Sequence, residues 1–235
     1  MNAKENLADS NRLKEVLSIN DCPVCSLLSD DEFDLLCHWV GKSGPEDGAT
    51  EERIRLSDSN GFCNFHFWMF AKISGMYGNA AISIDQLEKI QHMPGFNGKG
   101  ERVIDLLKNR FKNVHCPVCA DLEKMESAYL EELGALLNEE ENKIKYAQGD
   151  GLCLPHLMLL SEDKRSGPLL QFLIERERAQ MDKIKADAVN LGNKRNPPLS
   201  WEQTRNEKRS GSRAIKKLIG RQDQKTLGKI NQILQ

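Results

Sequence analysis

Six of the chain's seven cysteines and two of its five histidines fall in four short elements: CPVC at 22–25, GFCNFH at 61–66, CPVC again at 116–119, and GLCLPH at 151–156. The order is a duplication, with the CPVC copies 94 positions apart and the CxxH copies 90. Each copy brings three thiols and one imidazole, the donor count of a closed tetrahedral metal site. Two donors three positions apart converge on a single ion when they sit at a tight turn or in a first helical turn, and the chain offers that spacing four times. Cys22, Cys25, Cys63 and His66 are therefore the expected ligands of one ion, and Cys116, Cys119, Cys153 and His156 of a second. Exchange of ligands between the copies is the alternative; a copied unit that arrives with its own complete set argues against it.

Four-coordinate Cys3His sets with no vacant position favour structural zinc, two ions per chain, over an iron-sulfur cluster with one histidine ligand, which would serve electron transfer or redox sensing. A dithiol redox role for CPVC fits less well. A CxxC at a helix start does acquire a depressed thiol pKa, but no strand-rich pattern surrounds it and the matched CxxH elements would have no purpose. Phe62, Phe65, Phe67 and Trp68 are candidates for an apolar shell around the first CxxH. The seventh cysteine, Cys37 in DLLCHWV, reads as a small buried core residue. His38, His92 and His115 have no partner signature, although His115 stands beside Cys116.

The elements that must position these donors are helical. Sustained alternation of β-branched residues is absent, and apolar residues recur at three- and four-residue steps. In ERVIDLLKNRFKNV the stripe is Val103, Leu106, Leu107, Phe111 and Val114. A longer pattern after Pro168 runs through Leu170, Ile174, Met181, Ile184, Ala188 and Leu191, interrupted by Glu177. Pro23 and Pro117 follow the first cysteine of each CPVC and suit a first helical turn, whose positive end favours a thiolate. Gly61 and Gly151 can make the sharp turn into each CxxH element. The polar stretches GKSGPEDGATEE and NEEENKIKYAQGDG read as loops, and the prolines of GNKRNPPLSW end the long helix.

Composition narrows the function. A chain of 235 residues with 39% hydrophobic and 29% charged residues can bury a real core without needing a metal for bulk. The first twenty residues contain no apolar stretch suited to a signal peptide, and FWMF and LMLL are far too short for a membrane span, so a cytosolic protein with reduced cysteines is expected. From residue 191 onward there are eleven Lys or Arg against three Asp or Glu, while the rest carries 22 against 32. Such a basic segment is expected to engage acidic protein surface, its own or a partner's, through Ala214, Ile215, Leu218 and Ile219. Nucleic acid is the less favoured partner, because no reading motif accompanies the charge. Enzyme signatures are lacking: GKS at 41–43 has no glycine at the phosphate-loop position and follows a helix, and HExxH is absent.

CPVC followed by a Gly-apolar-Cys-x-x-His element, both again, then a long helix and a terminal SWEQTRNEKRSGSRAIKKLIGRQ, resembles a domain family of unknown function from anaerobic bacteria and archaea. The resemblance covers most of the chain and implies a helical, cysteine-rich protein without naming an activity. The family's tail is associated with a Ser-Trp-Arg pattern, where this chain has SGSR. The expectation is an all-α protein with two tandem helical repeats, 1–95 and 96–192, each closed by a Cys3His site, and a basic tail at 193–235. It would act as a metal-binding adaptor for a protein partner, without membrane association.

Overall fold

The structure, a computed structural model, describes residues 10–42, 51–98, 100–112, 114–162, 167–193 and 204–220. Among these residues every regular element is an α-helix: α1 (Ser10–Val16), α2 (Pro23–Gly41), α3 (Glu51–Asp58), α4 (Asn64–Ile73), α5 (Met76–Gln91), α6 (Gly100–Lys112), α7 (Pro117–Leu136), α8 (Glu140–Gln148), α9 (Leu154–Glu162), α10 (Gly167–Asn193) and α11 (Arg205–Ile219). No helix of the described residues is long and apolar enough to cross a membrane.

The order of the helices parallels the order of the motifs. Helices α2 to α6 have 19, 8, 10, 16 and 13 residues, and α7 to α11 have 20, 9, 9, 27 and 15. Each series runs as CPVC helix, short helix, CxxH helix, long helix and closing helix. The division expected at residues 95 and 192 therefore differs from the helix order, in which α6 closes the first series and α11, within the basic tail, closes the second. The stretch NEEENKIKYAQGDG, expected as a loop, forms α8. Its acidic residues occupy the positive N-terminal turn, and Asn142 and Tyr146, four apart, are both buried.

The chain divides into two compact units whose boundaries fall inside α2 and α7: 1–29 with 125–235, and 30–124. The core of the first unit is leucine-rich. Leu13 lies in α1 and Leu17 just after it, Val24 and Leu27 come from α2, Leu130 and Leu133 from α7, Leu160 from α9 and Leu173 from α10, all joined with Cys22, Cys25 and Cys153 in one cluster. Full burial of each such side chain contributes about 1.5–3 kcal/mol. The second unit centres on aromatic packing, with Phe62 edge-on to Trp39 at 5.4 Å and tilted against Phe70 at 5.5 Å. Arg53 of α3 holds Asp85 of α5 through two hydrogen bonds of 2.7 and 2.8 Å.

Several expected faces are rotated. Cys37 is exposed, because α2 turns Leu36 and Trp39 inward and leaves position 37 on the outer face. On α6 the expected Phe111 is exposed and Arg110 is buried instead. On α10 the inward positions are Leu169, Leu173, Glu177, Gln180 and Ile184; Ile174 and Met181 lie outside this stripe. Glu177, which interrupts the apolar pattern in sequence, thus lies on the buried face.

The basic C-terminal segment docks on its own chain, but through polar groups. Thr204 and Glu207 form a reciprocal capping box at the start of α11, and the inward face is Glu207, Ser210, Arg213 and Lys217. Arg213 forks onto Asp150 at 2.7 and 2.9 Å and reaches Asp187 at 2.9 Å; Lys216 pairs with Asp21 at 2.6 Å. Lys217 donates to the carbonyls of Asp150 and Leu152, both at 2.7 Å, and to the Glu177 carboxylate. Ile215 and Leu218, expected to dock, point outward. Pro197, Pro198, Trp201 and the Ile219 side chain lie outside the described residues. Replacing Lys217 with Ala leaves Glu177 as a buried, uncompensated charge and is expected to cost about 3–5 kcal/mol in urea unfolding, whereas Ile215→Ser is expected to change stability by no more than about 0.5 kcal/mol.

Candidate metal centres

Both CPVC elements open their helices as the prolines require: α2 starts at Pro23 and α7 at Pro117, with the first cysteine immediately outside. Cys63 is the N-cap of α4, and Cys153 immediately precedes α9. Gly61 and Gly151 have φ of 96° and 71°, the left-handed turn that an L-residue resists. At Gly151 a Cβ would also overlap the Glu177 carboxylate.

The eight donors gather into two clusters, and the pairing is exchanged between the copies. Cys22 and Cys25 meet Cys153 and His156; Cys63 and His66 meet Cys116 and Cys119, with all donor atoms of each cluster within 4.8 Å of one another. The expected pairing within each copy is therefore corrected. Each copied unit does carry a complete donor set, but the five-helix series places its CPVC at the other copy's CxxH turn. In the first cluster Nδ1 of His156 lies 3.2, 3.4 and 3.2 Å from the sulfurs of Cys22, Cys25 and Cys153. In the second, Nδ1 of His66 lies 3.3, 3.4 and 3.3 Å from those of Cys63, Cys116 and Cys119. Sγ–Sγ separations are 3.8 Å for Cys25–Cys153 and for Cys63–Cys119. His115 is exposed and belongs to neither cluster.

Each imidazole has a carboxylate behind it. Nε2 of His66 meets Glu32 at 2.9 Å, and Nε2 of His156 meets Glu126 at 3.1 Å. A donated Nε2–H fixes the tautomer that aims the Nδ1 lone pair at the sulfurs. The two glutamates are themselves a repeat, each ten residues after the first cysteine of its CPVC. Burial alone would push the His66 imidazole down, but hydrogen bonds to Cys116, Cys63 and Glu32 outweigh it and push its pKa up to about 11. His156 is likewise pushed well above the usual range despite burial, chiefly through Cys22. Both pockets attract positive charge.

A second repeated set braces the turns. Before Cys63, Asn60 and Gln86 accept from the buried Arg110 at 3.0 and 2.8 Å. Before Cys153, Asp150 accepts from Arg213, and Glu177 accepts from the Leu152 backbone at 2.9 Å and from Tyr146 at 2.5 Å. Asn60 matches Asp150, Gln86 matches Glu177 and Arg110 matches Arg213, so one brace is neutral apart from its arginine and the other is ionic. Burial pushes the Arg110 guanidinium down, whereas the Asp150 carboxylate raises Arg213. Of the expected apolar shell, Phe62 is buried and Phe65 stands edge-on to His66 at 5.3 Å, but Trp68 is exposed.

These features define a helical protein built around two closely packed three-thiol, one-imidazole centres. The chain matches the family of unknown function DUF6062 over residues 12–225 and belongs to it. No curated protein and no solved structure matches it.

The exchanged pairing is testable by double substitution. Cys22→Ser with Cys153→Ser is expected to abolish one metal site and spare the other, whereas Cys22→Ser with Cys63→Ser is expected to damage both; elemental analysis of the purified variants reads the outcome. Cys37→Ala is expected to retain both ions.

Proposed function

We propose that the protein binds two structural zinc ions per chain and serves as a helical binding or adaptor module. The observation that carries this reading is the donor geometry. Zinc–sulfur bonds of about 2.3 Å and zinc–nitrogen bonds of about 2.0 Å around a tetrahedron require S–S edges of about 3.8 Å and S–N edges of about 3.5 Å. The clusters have 3.8 Å and 3.2–3.4 Å. In an iron-sulfur cluster the thiolates are spread over several irons, wider than one ion's coordination sphere, so donors this close favour a single ion.

Three thiolates and a neutral imidazole around a divalent ion fill four positions with protein donors. That composition supports a structural rather than a hydrolytic role, since a catalytic zinc keeps one position for water or substrate. The ion would tie the starts of α2 and α9 in one centre and of α7 and α4 in the other. The proposed partner is a protein. The cations of α11 that face inward are engaged by Asp21, Asp150, Asp187 and Glu177, which supports reading the basic segment as part of the folded body rather than as a nucleic-acid arm.

Anaerobic purification followed by elemental analysis is the test: a colourless protein with two zinc ions per chain is expected, and a brown protein with iron and sulfide would overturn the zinc assignment. Zinc and protons compete for the same lone pairs. With the His66 pKa pushed up to about 11 by Cys116, Cys63 and Glu32 against burial, the ion-free ring is expected to carry a proton at pH 7, so zinc uptake at that pH is expected to acidify a weakly buffered solution. Affinity is expected to fall as the pH is lowered.

A further inference from the structure

The two centres have the same donors but unequal access. Cys22, Cys25, Cys153 and His156 are all buried, packed into the leucine-rich cluster with Leu13, Leu17, Val24 and Leu152. In the other centre Cys116 and His66 are buried, while Cys63 and Cys119 are only partly so. The sulfurs of these two half-buried residues lie 3.8 Å apart. Their counterparts by repeat, Cys153 and Cys25, are separated by the same 3.8 Å yet are sealed from solvent. One pair thus serves as an internal control for the other, equal in geometry and opposite in exposure.

We propose that Cys63 and Cys119 form an oxidation site for hydrogen peroxide, and that their conversion to a disulfide releases the ion of this centre while the other centre keeps its own. Thiolate oxidation follows exposure as well as thiolate character, and metal ligation supplies the thiolate in both centres, so access decides between them. One thiolate attacks a peroxide oxygen; the O–O bond breaks, hydroxide leaves and a sulfenic acid forms. The second thiolate attacks that sulfur, the S–S bond closes and a second hydroxide leaves. Two electrons pass from the pair of sulfurs to the peroxide, which ends as two hydroxides. A disulfide sulfur is a poor ligand, so only Cys116 and His66 remain to hold the ion. A dithiol reductant reverses the exchange by taking up the disulfide through a mixed-disulfide intermediate.

The brace around each turn favours the same asymmetry. The turn before Cys153 is held by Lys217 on two carbonyls, by Glu177 on the Leu152 amide and by the Arg213–Asp150 fork. At the turn before Cys63, the side chains corresponding to Asp150 and Glu177 are the neutral Asn60 and Gln86, bonded to Arg110. Movement of Cys63 towards Cys119 strains hydrogen bonds from Arg110 to neutral acceptors, whereas the same movement at Cys153 would disturb buried ion pairs.

This inference rests on the reading of the clusters as zinc sites, and the experiment separates the two. Full-length protein in a Cys37→Ser background, which removes the exposed spectator thiol, is loaded with zinc and its zinc content is measured first. Fewer than two ions at that stage would overturn the zinc reading itself. Hydrogen peroxide is then added anaerobically with a chromogenic zinc indicator present. Loss of one of the two ions, a Cys63–Cys119 disulfide in peptide mapping, and recovery of the second ion after treatment with a dithiol and fresh zinc are expected. Loss of both ions together, loss from the Cys22 centre first, or retention of both ions under peroxide sufficient to oxidise free cysteine would overturn the proposal.

Discussion

Three sulfurs and an imidazole nitrogen held within 4.8 Å of one another make a site suited to a cation. Thiolates at that distance repel, and burial removes the water that would otherwise screen them. The upward displacement of the His66 pKa expresses the same demand, since a proton on the ring is the smallest cation available to it. Much else in the protein follows from keeping those donors in place. Helix starts at Pro23 and Pro117, left-handed glycines at 61 and 151, and carboxylates at 32 and 126 each fix one degree of freedom of a donor.

The supporting groups stand in corresponding places around the two turns, and their differences carry information. Asn60 with Gln86 and Asp150 with Glu177 occupy matching places around the two turns, so the copies have kept the shape of the brace while changing its charge. The ionic version recruits α11, whose Lys217 and Arg213 are buried against the second turn. Burial pushes the Lys217 ammonium down to about 8, still above neutrality, and it remains a donor to Glu177. The basic segment therefore derives its binding energy from a few matched buried groups rather than from its overall excess of cations.

Much of this was legible in the residues before any coordinates. The duplicated CxxC and CxxH spacing marked the eight residues that gather into the two clusters, the proline positions located the helix starts, and the glycines marked the turns. Ligand pairing was not legible, because both pairings satisfy the same local spacing and only the packing of the five-helix series chooses between them. Faces misread from periodicity share one cause. Arg110, Glu177, Arg213 and Lys217 are charged residues on buried faces, and an apolar stripe drawn through α6, α10 or α11 is bound to miss them. Their signal lay elsewhere, in a comparison of the copies. Glu32 and Glu126 recur at one offset, and Gln86 and Glu177 stand 23 and 24 residues after Cys63 and Cys153.

The crossed pairing also sets an order for biosynthesis. As the chain leaves the ribosome, Cys22, Cys25, Cys63 and His66 emerge first and form a full donor set that the finished protein never uses together. Cys63 must wait 56 residues for Cys119, and Cys25 must wait 128 for Cys153. At about 5–20 residues per second the longer wait lasts roughly 6–25 s. An ion captured early by the first four donors would have to be surrendered before either native centre could close. If the clusters take up metal, its supply during translation would act on the route to the fold as well as on its end point, and late loading would favour the native partners.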